Sequence, residues 1–316
     1  MRVRCDTAVP VNPPGTAQLH RKTVFTMLFC CVLWSLSGIV SRQFEQAAGF
    51  EAAFWRSLFA ALAVAAWLII RHGRAAPRQL AATGAAGLFS GLMWSVMLTA
   101  FMIALLMTTV AKAMIVLAVA PLLTALLSRA FLGERVAART WFAIALAGIG
   151  MVWMVSDALA GDEHYPYSAW GMLIASAVPL ASACNLIVMK RSQARVDLMP
   201  ALLIGASISA LATLPFALPF VATTRDMAWL AFLGVFQLAL PGLLFITAAK
   251  SLSAAESALL ILLEVVFAPL WVWIGAGERP ADATLWGGSL VLSALMGNEW
   301  LATRSRPRAP TAQAHR

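Results

Sequence analysis

The residues with the most chemical content are ionisable or strongly polar side chains set inside long apolar runs. Glu264 lies about ten residues into the run 254–275, too deep for its short side chain to reach water. An ionisable group in hydrocarbon costs roughly 3 kcal/mol or more unless it faces a cavity or a partner. A carboxyl at that depth can take up and release a proton, or it can stay protonated as a hydrogen-bond donor between helices. Arg56 and Lys112 each lie about four residues in from the end of a run; they could draw an anionic group of a solute or extend their stems to water. Glu256 is similarly shallow, and there a structural role is the simpler reading. Asp157 and Glu299 fall in the last turn of their runs, within reach of water.

Four uncharged side chains join this group. Trp34 and Trp94 sit near mid-run, Ser35 follows Trp34, and Asn185 lies in the second half of its run. A buried Asn amide needs hydrogen-bond partners, which a neighbouring helix, water or a bound solute could supply. The two tryptophans either pack within a helix bundle or stack on a solute. Trp34, Ser35, Arg56, Trp94, Lys112, Asn185, Glu256 and Glu264 are therefore the candidates for lining a solute cavity, with Glu264 the candidate for proton coupling.

Other chemistries lack their residues. His20, His72, His164 and His315 all lie outside the apolar runs, and no HExxH, GxSxG or GxxxxGK[ST] sequence occurs. We expect no enzymatic activity, no cofactor and no metal site.

The elements that must position these side chains follow from composition. The 316 residues are 61 % hydrophobic and only 12 % charged, whereas a soluble domain carries about 25 % charged residues. A water-facing surface around a core of this size cannot be built from so little charge, which excludes a soluble enzyme and a disordered chain. Adjacent Cys30 and Cys31 within an apolar run do not suit a disulfide-stapled secreted module. What remains is an all-α integral membrane protein. The net charge of +9 does not indicate nucleic-acid binding, because the basic residues sit in short clusters between apolar runs rather than on one patch.

A membrane-crossing helix needs about 20 mostly apolar residues. Ten windows meet this, at about 23–40, 52–70, 83–105, 109–128, 140–157, 168–189, 200–221, 228–248, 254–275 and 284–302. The first is read as an uncleaved span, because Arg42 and Glu45 stand where a signal-peptide cleavage site would be. With the N-terminus placed inside, 18 of the 23 Lys and Arg fall in cytoplasmic segments and only Arg42, Arg225 and Arg279 outside. That bias predicts both termini on the cytoplasmic side of the cell (inner or plasma) membrane. Trp153, Trp170, Trp286 and Trp300 are among the tryptophans near predicted span ends, the level of the aromatic belt.

The chain also resembles itself. Residues 108–141 align with 252–285 at a constant offset of 144, so Gly133-Glu134-Arg135 matches Gly277-Glu278-Arg279 and Lys112 falls opposite Glu256. Two units of five spans follow, and an odd number of spans per unit places them in opposite orientations. The expected organisation is a cytoplasmic tail at 1–22, one repeat at 23–157, an external linker at 158–167, a second repeat at 168–302 and a cytoplasmic tail at 303–316. Inverted repeats are a transporter device, with the site at their interface near mid-membrane. Pro121, Pro179, Pro215, Pro241 and Pro269 interrupt spans and can expose backbone carbonyls there. Gly87-x-x-x-Gly91 offers a small face for close helix approach.

The segment T-x-A-x-A from Thr109, the in-span Pro121 and LGERVAARTW at 132–141, echoed by LLEVVFAPL at 262–270 and AGERP at 276–280, resembles the drug/metabolite transporter superfamily, EamA type. One departure is that Glu264 is followed by Val265, with the proline delayed to Pro269, where such proteins usually read Glu-Pro. The resemblance implies ten helices in two inverted five-helix repeats. It also implies transport of a small organic solute (an amino acid, metabolite or drug-like molecule), with export expected, and makes Glu134 and Glu278 markers of the fold. The partners expected are the solute and the lipid bilayer, with the chain a monomer or homodimer. A channel or sensor, and less readily an intramembrane enzyme, is the alternative. Scattered single polar residues fit alternating access better than the polar rings of a pore.

Overall fold

Backbone polar groups in hydrocarbon must be satisfied within their own segment, so apolar runs of this length fold as helices. The computed structural model describes residues 16–41, 43–47, 49–107, 116–117, 119–134, 136–159, 168–192, 196–276 and 282–304. Among these there is no strand. The helices are α1 (Thr16–Ser35), α2 (Ser37–Ser41), α3 (Gly49–His72), α4 (Ala76–Ala82), α5 (Gly84–Met107), α6 (Ala120–Leu127), α7 (Ala138–Leu159) and α8 (Ser168–Ala175). They continue with α9 (Ala177–Ser192), α10 (Met199–Ala217), α11 (Thr224–Phe232), α12 (Leu240–Ala248), α13 (Ala254–Ile261), α14 (Leu263–Ala276) and α15 (Asp282–Arg304). Among the described residues, six helical stretches are long and apolar enough to cross a membrane: Gly49–Ala82, Gly84–Ala104, Trp170–Ser192, Met199–Ala217, Thr224–Ala248 and Ala254–Gly275. Shorter apolar helices run over Ala120–Leu132 and Ala138–Gly150.

Local chemistry sets several ends. The window 200–221 overruns its helix: α10 stops at Ala217 because Leu218 is extended, at φ −88° and ψ 144°, as a residue before a proline prefers. The turn at Ser128–Leu132 closes on Gly133 at φ 66°. No atom lies within 4 Å of where a Cβ on Gly133 would stand, so this glycine of the LGER motif serves the left-handed backbone of a helix C-terminus rather than close packing.

The two halves are interleaved rather than side by side. α10 packs against both α3 and α5, α9 against α5 and α6, α15 along α7, and α1 against α12 and α14. In lipid, helices associate through close packing and interhelical hydrogen bonds rather than through expulsion of water. Both occur here. A Cβ on Gly205 of α10 would lie 2.7 Å from the carbonyl oxygen of Gly91, and one on Gly91 would lie 3.1 Å from that of Ala201. Gly91, of the predicted small face, thus seats α5 on α10. Ser57 and Ser209 share a hydrogen bond of 3.1 Å, Thr99 donates to Ser209 at 3.0 Å, and Thr140 donates to Asn298 at 3.2 Å. Large apolar side chains such as Ile70, Phe142, Leu211 and Met296 point outward, as they do on a lipid-facing surface.

Each end of the bundle carries a polar fastening. The buried carboxylate of Asp226 accepts backbone N–H groups of Glu45, Gln46, Ala47 and Thr223 at 2.7–3.1 Å. Glu51 accepts those of Val221 and Ala222, at 3.0 Å to its Oε1. At the other end of α10, Lys250 pairs with Asp197 at 3.5 Å, and Lys190 donates to the Lys250 carbonyl at 3.4 Å. Segments assigned by the charge alternation to one membrane face therefore meet one another.

Candidate functional site

Helices interrupted mid-course surround the centre of the bundle. Leu36 separates α1 from α2, Ser176 separates α8 from α9, and Leu262 separates α13 from α14. The stretch Leu233–Ala239, between α11 and α12, is a widened turn in which the Leu240 N–H reaches back five residues to the Val235 carbonyl. Pro241 explains the widening. It has no N–H for the Gln237 carbonyl four residues earlier, and its ring crowds that carbonyl. Such one-turn bulges free polar groups that a regular helix would consume.

Beside these interruptions lies a cavity of about 170 Å³. The first half contributes Trp34 beside the α1 break, Arg56 from α3 and Trp94 from α5; the second half contributes Asn185 from α9 and Glu264 from the first turn of α14. Gln237 of the widened turn and Phe245 of α12 complete this polar and aromatic wall. The remaining lining is mostly apolar, including Leu98, Leu186 and Leu238. Trp34 and Trp94 both pack on Phe245, with ring centroids 5.5 and 6.2 Å apart. Arg56 is 7 % exposed, and its side chain and that of Glu264 line the same cavity. The cavity is thus lined by a basic and an acidic side chain supplied by different halves of the chain.

The eight sequence candidates separate. Trp34, Arg56, Trp94, Asn185 and Glu264 come together on the cavity. Ser35 does not: its hydroxyl donates to the Val32 carbonyl at 2.7 Å and accepts from Trp271 Nε1 at 2.7 Å, fastening α1 to α14. Glu256 is occupied too. Its carboxylate accepts the Ser253 N–H at 3.0 Å while Ser253 Oγ accepts the Glu256 N–H at 3.1 Å, a capping box that starts α13. The structural role that was the simpler reading of Glu256 is the one it has, and the pattern Ser253-x-x-Glu256 is its sequence signal. Lys112 lies outside the described residues.

Gln237 was not singled out from the sequence. Its Nε2 donates to the Trp34 carbonyl at 2.9 Å, one of the last carbonyls of α1, which has no partner within its own helix. Asn185 is buried and accepts the Ser90 hydroxyl at 2.6 Å. Cys30 and Cys31 are free thiols. They donate to the carbonyls of Pro241 and Leu260, at 3.4 and 3.2 Å, next to the widened turn and the Leu262 break. Among the described residues no group of three His, Cys, Asp or Glu could hold a metal ion.

Two helical halves interleaved around a cavity that both line form an architecture of the kind membrane transporters use. The family described as the EamA-like transporter family matches residues 21–156 and 169–298, and the chain belongs to it, within the drug/metabolite transporter superfamily. It is a multi-pass membrane protein of a transporter family rather than of an enzyme family. No curated protein sequence matches it. A solved structure described only as the crystal structure of a protein superposes with a TM-score of 0.75, covering 91 % of this chain and 99 % of that one at 19 % identity. That likeness is one of fold.

Proposed function

We propose that the chain is a ten-span secondary transporter that moves a small organic solute by alternating access, with both termini cytoplasmic in the cell membrane. Export is the direction favoured, and Glu264 exchanges a proton in the cycle. The observation that carries this reading is the cavity shared by the two halves, with Arg56 from one and Glu264 from the other. Two halves that rock against each other would expose such a site first to one face and then to the other. A carboxyl that shares that site with an arginine can alternate between pairing with the cation and carrying a proton when solute takes its place.

The test is counterflow in proteoliposomes, using a radiolabelled solute identified by thermal-shift screening of the purified protein. Saturable uptake with trans-stimulation is expected, and an imposed pH gradient should drive accumulation. Glu264→Gln should retain counterflow and lose pH-driven accumulation. Flux that neither saturates nor responds to trans solute overturns the transporter reading, and unchanged pH dependence in Glu264→Gln overturns the coupling.

A further inference from the structure

Three of the side chains that line the cavity each hold a polar atom buried without a hydrogen-bond partner: Arg56 Nε, Trp94 Nε1 and Gln237 Oε1. They come from separate elements, α3, α5 and the widened turn, and each belongs to a side chain at least nine-tenths buried. A buried polar atom left unpaired costs about 1–3 kcal/mol, so three carried by the side chains of one cavity lining indicate what an occupant should supply. Two are donors, one of them on a guanidinium, and they ask for an acceptor that is preferably anionic. The third is an acceptor and asks for a donor. Gln237 cannot turn to exchange its ends without losing the 2.9 Å bond from its Nε2 to the Trp34 carbonyl, so its oxygen is held as the acceptor. Around them stand Trp34, Phe101 and Phe245.

We infer that the cavity takes a small organic carboxylate that also carries a hydrogen-bond donor on an apolar or aromatic body. The carboxylate lies at Arg56 and Trp94, the donor at Gln237, and the body against the aromatic side chains. Glu264 reinforces the donor requirement, because a second oxygen-rich wall disfavours a solute that presents anionic charge alone. The inference rests on the reading of this cavity as the transport site, and it names the chemical class that the site selects.

The test is binding to the purified protein in detergent, by thermal shift and by tryptophan fluorescence, with three probes of one size. 3-Phenyllactate carries both carboxylate and donor, 3-phenylpropionate lacks the donor, and 3-phenylpropanol lacks the charge. Phenyllactate is expected to bind at least tenfold more tightly than either of the others. Arg56→Gln should weaken phenyllactate at least tenfold, and Gln237→Leu should abolish its advantage over phenylpropionate. The thermal midpoint of each variant without probe reports folding. Trp94→Phe, which removes one donor and keeps a ring, weakens phenyllactate severalfold and serves if Arg56→Gln does not fold. Phenylpropanol binding as tightly as phenyllactate, no binding of any probe, or a phenyllactate preference that survives Gln237→Leu overturns the inference. Because binding is read without a membrane, the two readings fail separately. Probe binding without counterflow overturns the transport reading, whereas counterflow of another solute without phenyllactate binding overturns this one.

Discussion

Glu256 and Glu264 are the same residue type, eight positions apart, and the structure gives them different work. Glu256 satisfies an N–H at a helix start, whereas Glu264 faces the cavity with Arg56. Their substitutions should separate accordingly. Glu256→Ala removes one side of the capping box and is expected to lower stability by about 1 kcal/mol, with transport per folded molecule retained; thermal midpoint and counterflow measured on one preparation check this. Glu264→Gln should do the reverse, sparing stability and removing the response to a pH gradient. If the two variants affected transport alike, the division of roles between them would be wrong.

At the scale of elements, close approach between α5 and α10 fixes where Trp94 stands. Gly205 meets the Gly91 carbonyl and the Trp94 side chain, so a methyl group there has no room unless the helices part. Gly205→Ala should destabilise by about 1–3 kcal/mol and should also weaken solute binding by displacing Trp94. A thermal melt and a binding isotherm on the same variant read both effects. The turn that joins the loop before α3 to the start of α11 depends likewise on one side chain. Asp226→Ala would remove the carboxylate that accepts four N–H groups, one of them buried and three partly buried. A loss on the order of 3 kcal/mol is expected, measurable as a lower thermal midpoint. An unchanged midpoint would mean that water replaces the carboxylate at no cost.

At the scale of the whole molecule, the two repeats share one interior. α10 of the second half lies against α3 and α5 of the first, and the buried side chains Met27, Val64, Leu186, Leu202 and Leu259 belong to one cluster that crosses between the halves. Each half is therefore expected to leave apolar faces uncovered when alone. Cutting the chain within 160–167 and expressing both fragments together should give a complex that copurifies on a tag carried by either one. Each fragment expressed singly should fail to accumulate as a monodisperse species. A stable single half would show that the repeats fold independently and only then dock.

Charge scarcity determined the membrane class, because 12 % charged residues cannot coat a soluble surface of this size. The apolar windows located helices, since hydrocarbon leaves an isolated segment no other way to satisfy its backbone. The repeat and the LGER and LLEV segments pointed to the family. Arg56 and Glu264 could be chosen from the sequence because an ionisable group in an apolar run is costly wherever it faces. Which way a side chain faces was another matter. These helices are apolar on nearly every side, so no periodicity separates lipid from cavity or neighbour. Ser35 therefore looked like a cavity residue and proved to be a helix fastening, while Gln237 passed unremarked. The widened turn that presents Gln237 arises from Pro241 acting on the preceding turn, yet its partner is the Trp34 carbonyl, 203 positions away. Long-range pairing of this kind depends on how the halves interleave. Only the packed tertiary structure decided that, because helix contacts in a membrane are selected by shape and hydrogen bonding between segments rather than by the hydropathy of any one of them.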